Sequence, residues 1–177
     1  MHEQIWAPWR LSYIISDKKT ENKKPLNFLP GADTECFLCQ YAAAEDDCEN
    51  LVLRRTERSI TVLNRYPYNN GHLLVSPLLH VPCLTDLEDD VLCEITKTIS
   101  TMIEALKATI NPAGFNVGLN LGSAAGAGVP GHLHWHIVPR WDGDTNFMPA
   151  IGAVNVIPQS LTSLHALLAG QLAEVQD

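Results

Sequence analysis

Apolar positions recur with different periods in successive stretches of the chain, and each period predicts an element. Leu87, Val91, Leu92, Ile95, Ile99, Met102, Ile103, Leu106 and Ile110 return at three- and four-residue steps. That is the period of a long helix with one buried face. Thr85-Asp86-Leu87-Glu88 reads as a capping box at its start, and Asn111-Pro112 as its stop. Before it, residues 51–54, 59–64 and 72–76 read as strands. Pro67, Asn69, Asn70 and Gly71 separate the last two and predict an antiparallel hairpin. Residues 41–44 read as a short helix. Beyond the long helix come a strand over 114–121, a small-residue loop over 122–128, a strand over 132–138 that stops at Pro139, and a helix over 160–174. Strands, a long helix, then two further strands predict an α+β fold with an antiparallel sheet, one long helix and a C-terminal helix.

The strand over 132–138 carries the chemistry. In His132-Leu133-His134-Trp135-His136-Ile137-Val138 three imidazoles stand at alternate positions. Alternate residues of a strand share a face, so the histidines line one side while Leu133, Trp135 and Ile137 anchor the other in a core. A neutral imidazole can attack an electrophilic phosphorus, and flanking imidazoles can donate to its oxygens. The glycines of the preceding loop let backbone N–H groups approach an anion. The competing readings are histidines on a solvated sheet face and a single catalytic metal held by all three. Against the metal, positions i, i+2 and i+4 of a straight strand span about 13 Å, too far for one ion with bonds of about 2 Å.

Size and charge narrow the function. The chain has 177 residues, which suits one domain with terminal additions. Its net charge of −8 argues against nucleic acid as a partner. No apolar run reaches the roughly 18 residues of a membrane span. The start of the chain lacks the order of a signal peptide, which predicts a cytoplasmic protein with no membrane partner. Ile5, Trp6, Trp9, Leu11, Tyr13, Ile14 and Ile15 form an apolar patch expected to dock on the body or on a partner subunit, ahead of a polar loop over 16–24. Five cysteines, an odd number, do not form a disulfide framework.

The His-φ-His-φ-His-φ-φ run resembles the signature of the histidine triad (HIT) nucleotide hydrolases and transferases. The resemblance continues through Asn64, His72, Ser76-Pro77, the long helix, Asn120, Gly122 and Gly126. It covers a core of about 36–140 in a single domain over 1–177, with extensions over 1–35 and 141–177. Pro139-Arg140-Trp141 with Gly143-Asp144-Thr145-Asn146-Phe147, and the segment Trp6 to Arg10, are similar to a bacterial branch that contains diadenosine tetraphosphate (Ap4A) phosphorylases.

The resemblance implies roles. His134 is the nucleophile that forms a nucleotidyl-histidine, with its tautomer fixed by the carbonyl of His132. His72 and His136 join it as catalytic, phosphate-contacting groups. Asn64, Asn120, Gly126 and Gly128 complete the nucleotide-binding set. For Asn64 and His72 the alternative is plain hydrogen bonding at a strand end. The substrate implied is a nucleotide or dinucleoside polyphosphate, with water or phosphate as acceptor, and the assembly implied is a homodimer. One departure is visible: Ala127-Gly128-Val129-Pro130-Gly131 supplies none of the Gln, Thr or Ser side chains that many members place before the triad. That feature keeps open an alternative, a nucleotide-binding sensor with incidental hydrolysis. Chemistry like that of galactose-1-phosphate uridylyltransferase is disfavoured, because the chain lacks that family's His-Pro-His-Gln sequence.

Cys36-Phe37-Leu38-Cys39 is half of a zinc site, and zinc needs two more ligands. The resemblance points to His80 and His132 as the other two, around a structural ion. A redox pair and two ordinary thiols are the competing readings. Cys83 and Cys93 are expected in the core.

Overall fold

The computed structural model describes residues 25–144 and 156–174. The apolar patch expected before residue 16, the polar loop over 16–24, and Thr145-Asn146-Phe147 lie outside them. The described elements are α1 (Phe37–Ala43), β1 (Val52–Arg55), β2 (Ser59–Leu63), β3 (Leu73–Pro77), α2 (Asp89–Ile110), β4 (Gly114–Leu119), β5 (Trp135–Arg140) and α3 (Leu161–Glu174). The strands form one antiparallel sheet in the order β1-β2-β3-β5-β4. The α+β architecture expected from the sequence is present.

Burial explains the sheet's place. Every residue of β2 and β3 is buried, because both faces of these strands are covered. Leu63, Leu73, Val75, Leu133 and Ile137 join the core that α2 and α3 cover. Ile60, Val62 and Leu74 face the other way, into a smaller core with Leu38 of α1 and the cysteines 36 and 39. Leu133 and Ile137, with Trp135 packed beside them, therefore anchor the triad segment to the helix side. The alternation leaves the histidines on the α1 side.

Several boundaries differ from expectation, each for a physical reason. The short helix begins earlier, at Phe37, so Cys36 caps it and Cys39 lies in its first turn. The capping box does not form. Leu84–Asp86 make a 3₁₀ turn, Leu87 is extended and buried, and α2 starts after Glu88 with no side-chain cap. Asp89 and Asp90 in its first turn complement the helix dipole instead. Asn111 does end the helix, in a left-handed conformation at φ 44°. β4 ends at Leu119 rather than 121, and β5 runs from Trp135 through Pro139 to Arg140. Pro139 is tolerated because the strand has by then passed Leu73, the first residue of β3, which pairs with Ile137. Ser160 caps α3, its Oγ accepting from Ser163 N at 3.2 Å.

Cys83 and Cys93 are exposed, not core residues. The buried stripe of α2 runs through Val91, Ile95, Thr98, Met102, Ala105 and Leu106. Cys93 is two residues from Val91 and so falls on another face. Cys83 lies on the open connection before the 3₁₀ turn.

Gly71 sets the packing of the β2–β3 connection. Its φ is +76°, and a Cβ there would stand 2.7 Å from Ile110 Cδ1 and 3.1 Å from both Leu106 Cδ2 and Pro139 Cγ. Gly71→Ala should therefore lower stability by about 1–3 kcal/mol through combined strain and overpacking. Urea unfolding of the variant checks this; a midpoint equal to that of the wild type would show that the helix side chains yield freely.

Candidate active site

The hairpin and the triad segment deliver three imidazoles to one place. His72 stands just before β3, where Asn64 N donates to its carbonyl at 2.9 Å and closes the hairpin. His136 lies on β5 between Leu74 of β3 and Gly118 of β4. His134 is one step earlier on the same face. The ring centroids of His72 and His136 are 5.1 Å apart, as are those of His134 and His136. His72 is fully buried and His134 nearly so.

Hydrogen bonds assign the protons. His134 Nδ1 lies 2.8 Å from the carbonyl oxygen of His132, which can only accept. Nδ1 therefore carries the proton and Nε2 keeps its lone pair. The carbonyl itself is fixed from the next residue: Leu133 N donates to Val81 O at 2.9 Å, and Ser76 Oγ donates to Leu133 O at 2.7 Å. Tyr68 N donates to His72 Nδ1 at 3.1 Å, so His72 holds its proton on Nε2 and donates to His136 Nδ1 at 2.9 Å. The proton of His136 is then on Nε2, an atom that is buried and has no hydrogen-bond partner among the described residues. A buried donor without a partner costs free energy, and an anionic oxygen at that position would satisfy it.

Burial keeps both relay rings neutral. It pushes His72 down to about 3, helped by the nearness of His136 and His134. Burial, and then His134, push His136 down to about 4. The neutral tautomers derived from the bonding are thus the ones present at pH 7.

Other expected residues are placed less directly. Asn64 Oδ1 accepts from Tyr66 N at 2.9 Å, and its Nδ2 lies 3.2 Å from His72 Nδ1. It therefore makes the strand-end bonds that were the alternative to ligand binding, with one lone pair and one N–H still to offer. Asn120 is half-buried just past β4. Gly126, at φ +85°, closes a 3₁₀ turn over Ser123–Ala125 and donates its N–H to Ser123 O at 3.0 Å. Its contribution is conformational, not a free donor. Gly128 lies exposed on the same loop. Among the described residues, no hydrogen bond joins Asn120, Gly126 or Gly128 to the histidines.

His132 turns to a second cluster. Its Nδ1 is 3.3 Å from Cys36 Sγ and 3.6 Å from Cys39 Sγ, while His80 Nδ1 is 3.3 Å from Cys39 Sγ. One donor atom from each of the four residues lies within 4.8 Å of the others. Tetrahedral bonds of 2.0–2.3 Å imply donor separations of roughly 3.3–3.8 Å, a range that holds the three sulfur–nitrogen distances just given, so these residues suit one ion. His132 Nε2 donates to Pro77 O at 2.9 Å, and His80 Nε2 faces Asp33 Oδ2 at 3.9 Å. The outer nitrogen of His132 is thus held by a carbonyl oxygen, as metal-binding imidazoles require, while the Asp33 carboxylate stands near His80 beyond hydrogen-bond distance. Burial, with Cys36 nearby, pushes the Cys39 thiol up to about 11, and a cation would reverse that.

Sequence reasoning missed Tyr68, Asp33 and Gly131. Tyr68 and Asp33 act through the backbone or at a distance in sequence, and no motif marks them. Gly131 had a local signal, a glycine directly before the triad. A Cβ there would meet His80 Nε2 at 3.2 Å, so the glycine makes room for the cluster.

Comparison with known proteins agrees with this geometry. The family model described as HIT domain matches residues 45–143. The "AP-4-A phosphorylase" of Mycobacterium tuberculosis is 39% identical over 171 residues, covering 97% of this chain and 85% of that protein. The "Bis(5'-nucleosyl)-tetraphosphatase [asymmetrical]" of Schizosaccharomyces pombe is 33% identical over 93 residues, 52% of this chain and 50% of that one. Among solved structures, a Zn-bound histidine triad family protein from Mycobacterium smegmatis aligns with a TM-score of 0.58 at 24% identity, covering 71% of this chain and 86% of that chain. At that identity the likeness shows the fold.

The depressed histidines make stability depend on pH. Their folded values of about 3 and 4 lie below the unfolded value near 6.5, so the unfolded chain binds more protons in between. Stability is full above about pH 6.5 and falls as pH drops toward 4. Urea midpoints at several pH values in that window should decline for the wild type. They should decline less steeply for His72→Gln, although that variant starts lower; parallel slopes would show that His72 is not held neutral.

Proposed function

Because this chain belongs to the HIT domain family, we propose that it is a nucleotidyl hydrolase or transferase that cleaves dinucleoside polyphosphates such as Ap4A. The observation that carries the reading is the buried Nε2–H of His136, without a hydrogen-bond partner among the described residues, beside His134, whose own Nε2 is unprotonated. One atom offers an electron pair to phosphorus, and the other offers a proton to a phosphate oxygen.

In this mechanism His134 Nε2 attacks the α-phosphorus, the bond to the bridging oxygen breaks, and the remaining nucleotide leaves with that electron pair. His136 donates to a non-bridging oxygen as charge builds, and His72 holds His136 in the tautomer that can do so. Water or inorganic phosphate then attacks the nucleotidyl-histidine and restores the imidazole. The leaving nucleotide phosphate is already stable as an anion, so little general-acid help is needed. That suits a loop without a Gln, Thr or Ser side chain before the triad. Asn64, Asn120, Gly126 and Gly128 complete the nucleotide-binding side in this reading, within a domain core of about 36–140.

The ion assigned to Cys36, Cys39, His80 and His132 is zinc, in a structural role. The support is the donor set, two thiols and two imidazoles gathered within 4.8 Å of one another, with no fifth protein donor among the described residues. Zinc would tie α1 to the segment that leads into β5.

The protein is read as a homodimer whose sheet continues across two copies. β4 has β5 on one side only, and Val117 on that edge strand is 45% exposed. A cytoplasmic location is part of the same reading. It accords with five unpaired cysteines, and no described helix is long and apolar enough to cross a membrane.

Product analysis with Ap4A tests the activity. ADP plus ATP formed only with phosphate present identifies a phosphorylase, and AMP plus ATP without it identifies a hydrolase. His134→Ala should lose at least about 10³-fold in kcat; a His134→Ala enzyme that still turned over normally would remove the nucleophile and the mechanism with it. Metal analysis should find zinc in the purified protein. Chelation should lower the thermal midpoint while changing the rate of the still-folded fraction little. A rate that collapses in folded, metal-free protein would end the structural assignment.

A further inference from the structure

Tyr68 has no role in the scheme above beyond its backbone N–H, yet its ring covers the relay. The ring centroid lies 4.6 Å from that of His72 at an interplanar angle of 37°. It lies 5.8 Å from that of His136 at 15°, a stacked arrangement. Tyr68 is also 56% exposed, so the ring is not there to fill a core. Tyr66, two residues earlier, is 85% exposed, and no ring contact involves it among the described residues.

His136 needs such a cover. Its two cross-strand neighbours are Leu74 and Gly118. Residues directly opposite on antiparallel strands share a face, so Gly118 is where a side chain could have packed against the imidazole. It has none, and nothing lies within 4 Å of where its Cβ would stand. The bond from His72 fixes His136 at Nδ1 alone. A ring held at its Cβ and at Nδ1 can still tilt, and tilting moves Nε2. A parallel aromatic ring restricts that tilt by offset stacking.

We propose that Tyr68 is a positioning residue: its ring holds His136 in the plane that aims Nε2–H at the reacting phosphate. It acts through His136 and not on the substrate. The phosphate in this statement rests on the function proposed above; the stacking does not. The open space at Gly118 then gives the phosphate a way in, while Tyr68 supplies the support that a larger residue at position 118 would otherwise give.

The test compares Tyr68→Phe and Tyr68→Ala in the full-length, metal-loaded protein. Histidine-ring ¹⁵N spectra of the resting protein near pH 7 report the tautomer of His136, and steady-state kinetics with Ap4A report kcat and KM. Tyr68→Phe should keep the single Nε2-protonated form and stay within about twofold in kcat, because stacking needs the ring and not the hydroxyl. Tyr68→Ala should show mixed or broadened His136 signals, and kcat should fall about tenfold or more with KM within roughly threefold. Unchanged ring signals in Tyr68→Ala would overturn the proposal. So would a rise in KM at constant kcat, which would make Tyr68 a substrate contact, or a Phe variant as impaired as Ala. If the wild type does not turn over Ap4A, the functional reading fails, while the spectra still decide what Tyr68 does to His136.

Discussion

An imidazole can attack an electrophile only through a nitrogen that carries no proton, and at His134 one peptide carbonyl leaves Nε2 as that nitrogen. The oxygen of His132 lies 2.8 Å from His134 Nδ1 and draws the proton there. Everything around that contact fixes the oxygen's position. Val81 and Ser76 bond the peptide groups of Leu133, and Leu133 and Ile137 sink into the core under α2 and α3. Pairing on both edges, with β5 between β3 and β4, gives the strand little freedom to slip. A slip of one residue would turn the histidines toward the helices and the apolar anchors toward α1.

The same logic runs through the second arm of the site. A backbone N–H at Tyr68 starts a chain of fixed donors and acceptors that passes through His72 and ends at His136 Nε2. Each ring is neutral because it is buried, and each tautomer follows from its neighbour. The two arms converge from different directions, one governed by a carbonyl and the other by an amide N–H. The outcome is one nitrogen with a lone pair and a nearby nitrogen with a proton, set before any ligand arrives. Preorganisation of this kind places the reorganisation cost in folding rather than in the chemical step.

Much of this was legible in the sequence. The alternation of His132, His134 and His136 with Leu133, Trp135 and Ile137 gave both the face and its anchor, because a strand has a period of two. The hairpin residues put His72 at a strand end, the family resemblance joined it to the triad, and the cysteine pair announced half of a four-residue cluster that could hold an ion. What the sequence concealed depends on contacts between distant residues or on the main chain. Nothing in the letters shows that Tyr68 stacks on His136, that Asp33 faces His80, or that Gly126 uses its N–H inside its own turn. The capping box failed for a similar reason: the pattern was sound, but burying Leu87 required an extended backbone where the helix would have begun. Cys93 was misplaced because an apolar side chain near a helical stripe need not lie on it, and Cys83 because it stands on the open connection before the 3₁₀ turn.

Position 132 divides its labour between main chain and side chain. The carbonyl that orients His134 would be present whatever residue stood there, whereas the imidazole belongs to the cluster with Cys36, Cys39 and His80 and bonds Pro77 O with its outer nitrogen. Tautomer control was therefore never the property of a particular amino acid, and the side chain was available for a separate task. In evolutionary terms the two functions can be gained or lost independently. A lineage without the proposed ion could change residue 132, along with both thiols and His80, and still keep His134 in the tautomer that the proposed attack needs.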